Sequence, residues 1–257
     1  MASLIALAAA LTAGAGASAQ GDVGDQLRPD LVTQPFGGDL ELKSRPGRDT
    51  LRLGNTIANR GSGPLEISPE QGDQDCDSSE GEDRYAYQRV FSDSDGNGMF
   101  DRDLDTAAQR REAGCMAYHP AHNHWHFDDF SRYLLKRQST GAIVADSTKV
   151  SFCVIDTSRP FESLAGSPDA NYYPRGGSGC DENATEGISV GWADTYGSSL
   201  PGQALDVTGL PKGRYCLVST ADPSDRLLET DEDNNRHRRL LSLNVKTGRL
   251  AGLPGGC

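Results

Sequence analysis

Beyond its first nineteen residues, this 257-residue chain has no stretch that sustains the 3.6-residue apolar period of an amphipathic helix. Thirty glycines and thirteen prolines are spread along the chain, and both residues interrupt helices. Apolar and polar residues instead alternate in short runs, as in Arg214-Tyr-Cys-Leu-Val-Ser219. This pattern predicts an all-β protein, and a β-sandwich with long loops is the simplest architecture for it.

Several strands can be placed along the chain. Two alternating runs between Thr50 and Ile67, separated by an Asn/Gly/Ser/Pro cluster, predict a hairpin-like pair of strands. Other strands are expected at Phe130–Leu135, Ala142–Ala145, Lys149–Ile155, Gln203–Val207, Arg214–Ser219 and Leu240–Val245. The stretch from Asp156 to Gly187 is rich in Gly, Ser, Pro and Asn, and it predicts a long loop of the kind that is often functional.

The first nineteen residues differ from the rest. They carry no charge, contain an apolar run from Leu4 to Leu11, and end in Ala17-Ser18-Ala19 before Gln20. This small-x-small ending predicts a secretory signal peptide and an extracellular protein, although the usual positive n-region is missing. The apolar run is too short to cross a bilayer, so no membrane insertion is expected. Residues 20–257 are then expected to form a single domain.

Charge and cysteine content narrow the possible partners. The formal net charge is −12, which argues against nucleic acids and anionic membranes as partners. The six cysteines are an even number in an apparently secreted chain, so three disulfides are expected. Sequence alone leaves about fifteen pairings open, and nearest-neighbour pairing is our prediction: Cys76–Cys115, Cys153–Cys180 and Cys216–Cys257. The chain has no C-x-x-C motif, so a thiolate zinc site is not expected.

Four of the five histidines lie within eight positions, in His119-Pro-Ala-His122-Asn-His124-Trp-His126. In an extended strand, His122, His124 and His126 would share one face. Three converging imidazoles could bind copper, zinc, iron or nickel, and such nitrogen sites generally hold copper most tightly. The alternative is a run of exposed polar residues on a strand.

A second candidate metal site precedes the histidines, between residues 93 and 105. Asp93, Asp95 and Asn97 occupy positions one, three and five of an EF-hand-like loop, Gly98 follows at six, and Asp101 stands at nine. In such a loop the residue at position seven, here Met99, offers its backbone carbonyl. Position twelve is Leu104, so Asp103 or Asp105 must replace the usual bidentate glutamate. We predict calcium here, and the alternative is an Asp/Gly-rich turn.

The blocks His119–Leu135, Lys149–Thr157 and Gly191–Asn235 together resemble the catalytic domain of the lysyl oxidase family, over roughly Leu51 to Cys257. In that family the H-x-x-H-x-H-x-H block holds copper. The resemblance therefore implies that His122, His124 and His126 are copper ligands. It leaves the role of His119 open, either as a fourth ligand or as a residue that orients the other three.

The same resemblance implies a lysine tyrosylquinone cofactor made from the protein's own side chains. Lys149 in Lys-x-Ser-Phe-Cys and Tyr196 in Asp-Thr-Tyr-Gly fall where the family's precursors fall. Asp194 lies two residues before Tyr196, so on a strand it would share the same face and could act as the general base. The implied activity is oxidation of primary amines, either peptidyl lysine or small amines such as polyamines, with O2.

Some features depart from the family. The chain has fewer cysteines than the animal members, and Ala121 stands where they have a cysteine in the histidine block. Because of these departures, the resemblance does not imply that the animal substrates, elastin and collagen, are substrates of this protein. Two other functions stay possible: a zinc or copper hydrolase that uses three histidines, and a secreted calcium-binding module of the Ig-like adhesion type. The sequence does not specify the oligomeric state.

Overall fold

A computed structural model describes residues 26–34, 36, 39–70, 75–76, 82–120, 122–147, 151–173, 180–181 and 185–257. Within these ranges the chain forms antiparallel strands and one turn of 3-10 helix at Val245–Thr247, so the prediction of an all-β protein is confirmed. The leader predicted at residues 1–19 and Lys149, the lysine predicted to form the cofactor, lie outside the described residues. The strands are β1 (Gln26–Leu27), β2 (Leu31–Thr33), β3 (Leu40–Arg45), β4 (Arg48–Leu53), β5 (Asn55–Asn59), β6 (Leu65–Pro69), β7 (Asp83–Ser92), β8 (Thr106–His119), β9 (His124–Phe127), β10 (Ser131–Arg137), β11 (Ile143–Asp146), β12 (Glu186–Ile188), β13 (Ala193–Tyr196), β14 (Ala204–Asp206), β15 (Gly213–Ala221), β16 (Arg236–Asn244) and β17 (Arg249–Gly252).

The strands form four sheets in the described part of the chain. A six-stranded sheet has the order β12-β6-β7-β8-β9, with β1 also paired to β7. A five-stranded sheet has the order β11-β10-β15-β16-β17, and two three-stranded sheets have the orders β13-β5-β2 and β14-β4-β3. One continuous apolar cluster joins the sheets, and its largest fully buried side chains are aromatic: Phe127, Phe130, Tyr133, Phe152 and Tyr215. No helix in these ranges is long and apolar enough to span a membrane.

The expected hairpin between Thr50 and Ile67 is wrong. Its runs correspond to β4, β5 and β6, and each of these pairs in a different sheet. The turn after Asn59 packs against the chain at Arg28, where a side chain at Gly61 would collide with the Arg28 carbonyl. The Asn59 side chain holds this turn by accepting a hydrogen bond from Gly61 N and donating one to Gly63 O. The turn therefore sends β6 to the six-stranded sheet instead of folding it back on β5.

The strand expected at Lys149–Ile155 is also corrected. Phe152 and Val154 are buried, as expected, but residues 151–155 form only an isolated bridge between Phe152 and Phe127. The backbone groups of Cys153 and Val154 are taken instead by the Tyr196 hydroxyl and by residues of β12. No ladder can form where other partners already occupy these groups.

The three predicted disulfides are confirmed as Cys76–Cys115, Cys153–Cys180 and Cys216–Cys257. The Cys153–Cys180 disulfide ties down the long loop that was predicted from Asp156 to Gly187. The carboxylate of Asp156, at the start of this loop, is buried. Asp156 accepts hydrogen bonds from the backbone N–H groups of Tyr172, Tyr173 and Ser189. The loop is thus fastened at both ends beside the site described next.

Candidate functional site

The histidine block lies at the edge of the six-stranded sheet, in β8, β9 and the turn between them. His119 pairs with His124 across the two strands, and Ala117 pairs with His126. Because cross-strand partners share a face of a sheet, His119, His124 and His126 project to the same side. Trp125 and Tyr118 form the pair between them and project to the other side, with ring centroids 5.8 Å apart.

His122 reaches the cluster by a route that differs from the expected one. The strand begins only at His124, and His122 lies in the preceding turn, where the N–H groups of His122 and Asn123 both donate to the His119 carbonyl. Asn123 adopts a left-handed conformation, φ 57°, which a single asparagine tolerates. Strand alternation in β9 places His124 and His126 on the same face, and the turn before β9 places His122 next to them.

The imidazole nitrogens of His122 and His124 both lie close to His126 Nε2. His124 Nε2 lies 3.0 Å from His126 Nε2, and His122 Nδ1 lies 3.5 Å from the same atom. Imidazole nitrogens bind zinc at about 2.0–2.1 Å, and a comparable bond length places two ligands of one small divalent ion no more than about 4 Å apart. His122 and His124 each lie within this spacing of His126 Nε2, but the three histidines whose ligand atoms all lie within 4.8 Å of one another are His119, His122 and His126, and His124 is not in that group.

His119 belongs to the same cluster. Its ring stacks on that of His122 with centroids 4.0 Å apart, and it offers a nitrogen within 4.8 Å of ligand atoms of His122 and His126. Its Nδ1 is buried and has no hydrogen-bond partner in the described structure. The stacking suits a residue that orients His122, and the proximity also suits a fourth ligand.

Sequence reasoning missed the residues that contact the histidine cluster on the side of His126 Nδ1. Ser151 Oγ lies 3.3 Å from His126 Nδ1, the ring nitrogen that faces away from His122 and His124. Next to it, Phe152 exchanges both backbone hydrogen bonds with Phe127 of β9. The only sequence signal for this contact was the position of Ser151 inside the Lys-x-Ser-Phe-Cys motif.

Tyr196 lies on the other side of the same backbone segment. Its hydroxyl donates a 2.8 Å hydrogen bond to the carbonyl of Cys153, and its ring packs edge-on against Phe152 at 4.8 Å. Burial of the hydroxyl, followed by the negative charge of Asp194, raises the pKa of Tyr196 well above its usual value. Residues 151–154 thus contact both the histidine cluster and Tyr196.

Asp194 is buried, and it lies on β13 with Tyr196. Thr195 between them points outward to Thr56 and Ser158, so Asp194 and Tyr196 share the inner face, as the alternation predicted. The charge of Asp194 acts on the pKa of Tyr196 and on that of Glu186, which places these three acids in one neighbourhood. Lys149, the other proposed precursor, lies outside the described residues.

The predicted calcium loop is the tip of the long β7–β8 hairpin, which sequence reasoning did not identify. Ligand oxygens of Asp93, Asp95 and Asp105 lie within 4.8 Å of one another, and Asp105 is buried. Asn97 is turned towards Asp95, to which its amide donates at 2.7 Å, and Met99 N donates to the Asn97 side chain. Asp101 N donates to Asp105 Oδ2. Asp105, and not Asp103, is thus the acid that closes the loop.

Comparison with known proteins agrees with this architecture. Residues 99–250 match the family model for lysyl oxidase. The chain is 36% identical over 119 residues to protein-lysine 6-oxidase of Homo sapiens and of Sus scrofa, which covers 46% of this chain and 26% and 43% of those proteins. It is 33% identical over 119 residues to lysyl oxidase homolog 1 of Homo sapiens, covering 46% of this chain and 19% of that protein. The match thus spans less than half of each relative. Because the family model covers more than half of the chain, the chain belongs to the lysyl oxidase family.

Proposed function

We propose that this protein is an extracellular, copper-dependent amine oxidase of the protein-lysine 6-oxidase type. The overall reaction is RCH2NH2 + O2 + H2O → RCHO + NH3 + H2O2. The observation that carries the proposal is the shared backbone segment, residues 151–154, with a histidine cluster on one side and a buried tyrosine on the other. Three disulfides support an oxidising, extracellular location.

His122, His124 and His126 are the proposed copper ligands, and Ser151 orients His126 from its far nitrogen. Bound copper with O2 would supply the redox chemistry that converts the Tyr196 phenol into a quinone joined to Lys149. The contribution of the chain itself is to hold the Tyr196 ring in position. The Cys153 carbonyl fixes the hydroxyl end of the ring, and Phe152 fixes its face.

Asp194 is the proposed general base that removes the α-proton of the substrate carbon. It lies on the inner face of β13 with Tyr196, close enough for its charge to affect the pKa of Tyr196. A general base accepts the proton in its ionised form, as a carboxylate. Cationic primary amines, either peptidyl lysine or polyamines, are the proposed substrates, and the net charge of −12 favours their approach.

The test is to produce the secreted protein with copper in air. We expect a visible quinone absorbance, a crosslinked Lys149–Tyr196 peptide by mass spectrometry, and amine-dependent peroxide. Tyr196→Phe and Lys149→Arg should abolish all three. Tyr118→Phe is the matched control, because Tyr118 also lies beside the histidine block but bonds Asn123.

Full copper loading without a crosslink would overturn the proposal. A metal hydrolase would keep its activity after Lys149→Arg, because a metal-bound water needs no lysine. A calcium-dependent adhesion module would release no peroxide with any amine. The three functions therefore give three different outcomes in one preparation.

We further propose that the loop from Asp93 to Asp105 binds calcium as a structural ion. Asp93, Asp95 and Asp105 would supply side-chain oxygens, and Asn97, Met99 and Asp101 would complete the shell with side-chain or backbone oxygens. Hydrogen bonds from Gly96 N and Gly98 N to Asp93 already hold the loop in shape and lower the pKa of Asp93.

A further inference from the structure

The mechanism above does not use Glu186, a glutamate with no solvent exposure. It opens β12, where it pairs with Ile67 of β6. Its Oε2 accepts a 2.7 Å hydrogen bond from Val154 N, and the next residue, Gly187, donates a 2.9 Å bond to Val154 O. Two consecutive residues of β12 therefore hold both backbone polar groups of Val154.

This clamp acts on the segment that supports Tyr196. Val154 directly follows Cys153, whose carbonyl accepts the Tyr196 hydroxyl, and Phe152 packs on the Tyr196 ring. A shift of the Val154 backbone would move that carbonyl with it, because the two residues share a planar peptide unit. The position of the Tyr196 hydroxyl thus depends on the side chain of Glu186.

The second oxygen of Glu186 bears on its protonation state. Oε1 is buried and has no hydrogen-bond partner in the described structure. The titratable groups that act on this region from β13 are Asp194 and Tyr196, and neither carries a positive charge. On the neighbouring strand β6, Glu66 directs its carboxylate away to Arg89 and Arg102.

A buried carboxylate with one oxygen unsatisfied and another acid nearby is unfavourable compared with the neutral acid. We propose that Glu186 is a positioning residue of the Tyr196 site, acting as a neutral carboxylic acid that fixes the Cys153–Val154 backbone. The effect on cofactor formation rests on the proposed function, whereas the effect on the backbone does not. Burial, together with the charge of Asp194, raises the pKa of Glu186 well above its usual value, in agreement with this role.

The proposal has a pH consequence. Ionisation of Glu186 would strengthen its hydrogen bond from Val154 N, but it would also place a second buried negative charge beside Asp194. We expect this repulsion and the cost of burying the charge to displace the carboxylate, so the site should fail at alkaline pH while the fold persists. Glu186→Gln should remove this limit. An amide keeps an oxygen that can accept from Val154 N, and it cannot ionise.

The first test uses the copper-free protein and does not depend on activity. Hydrogen exchange at the Val154 amide is measured in wild type, Glu186→Gln and Glu186→Leu. We expect wild-type protection at pH 7 in Glu186→Gln, and at least tenfold faster exchange in Glu186→Leu, which has no acceptor. Wild-type protection in Glu186→Leu would overturn the proposal. If Glu186→Leu does not fold, exchange at the Val154 amide is compared between wild type and Glu186→Gln at alkaline pH. Faster exchange in wild type supports the proposal, and equal exchange contradicts it.

The second test uses the copper-loaded protein. Between pH 7 and pH 9.5 we expect wild-type kcat to fall severalfold with KM unchanged, and Glu186→Gln to keep its kcat. Glu66→Gln is the matched control, a buried glutamate on the adjacent strand that should retain the wild-type alkaline fall. The same alkaline fall in Glu186→Gln as in wild type contradicts the proposal. If wild type forms no quinone at any pH, the proposed function fails, and the exchange measurement still decides on Glu186.

Discussion

His126 is the residue on which the histidine cluster centres. Its Nε2 is the common partner of His122 and His124, and its Nδ1 faces Ser151. Bonding at the outer nitrogen of a ligating histidine fixes its tautomer and orientation, and loss of such a bond typically weakens metal binding about 10–100-fold. Ser151→Ala should therefore lower copper affinity about tenfold, measured by competition with a chelator of known affinity.

Ser158→Ala provides the control for that measurement. Ser158 lies on the same connecting segment, but its hydroxyl bonds Thr195 and not a histidine. Equal copper affinity in Ser151→Ala and wild type would show that the Ser151 contact does not orient His126.

At the scale of residues, the sequence predicted local patterns but not contacts that depend on how strands pair. Clustered histidines and the alternation of Asp194 with Tyr196 are local patterns, so spacing alone could indicate them. The placement of His119 opposite His124 depends on how β8 pairs with β9, which the sequence does not state. Glu186 lies 32 residues from Val154, so no local motif could have linked them.

At the scale of elements, the Cys153–Cys180 disulfide fastens the long loop to the site. The Cys180 carbonyl accepts from Trp125 N of β9, and the Cys153 carbonyl accepts from Tyr196. Replacing both cysteines by alanine should cost about 3.5 kcal/mol of unfolding free energy by loop entropy. It should also lower the yield of crosslinked Lys149–Tyr196 peptide, measured by mass spectrometry in protein that remains folded.

The Cys216–Cys257 disulfide is a matched control for that variant. It closes a loop of similar length, with a sequence separation of 41 compared with 27, but it ties β15 to the chain end away from Tyr196. Its removal should cost a similar free energy of unfolding and leave the crosslink yield of the folded fraction unchanged. Equal yields in the two double variants would argue against a role of the loop in the site.

The β7–β8 hairpin tip gives a second test at this scale. If Asp93, Asp95 and Asp105 bind calcium, saturating Ca2+ should raise the thermal midpoint by about 5 °C through mass action. Asp105→Asn should remove most of this shift, whereas Asp103→Asn should keep it, because only Asp105 is grouped with Asp93 and Asp95. A calcium shift that survives Asp105→Asn would assign the ion to another place.

Elements were predictable where one face of a strand is buried and the turn chemistry is local. β10, β14 and β15 lie close to their predicted positions. The β7–β8 hairpin was not predicted because its outer half is largely exposed and polar. β8 from Thr106 to Glu112 therefore shows no apolar alternation. The pair expected near Thr50–Ile67 failed because the Asn59 turn packs against Arg28, a contact between distant parts of the sequence.

For the whole molecule, electrostatics favours the fold at mildly acidic pH. Burial is the largest cause of the raised pKa values of Asp156, Glu186 and Asp222. A carboxyl whose pKa is raised by folding holds its proton in the native state after the unfolded chain has released it. Unfolding free energy therefore falls as pH rises above the ordinary carboxyl range, about 4 to 4.5. The net charge of −12 adds self-repulsion in the same direction.

Salt separates these two contributions. The thermal midpoint of the copper-free protein should fall between pH 5 and pH 9. Addition of about 0.5 M NaCl, which shortens the screening length to about 4 Å, should recover only part of the fall. The recovered part measures long-range repulsion, because salt screens exposed charges well and buried ones poorly. The remainder belongs to buried carboxyls, and Glu186→Gln should reduce it, because the amide has no proton to lose. A midpoint that is independent of pH in high salt would mean that the buried acids contribute nothing, and that surface charge alone sets the pH dependence of this fold.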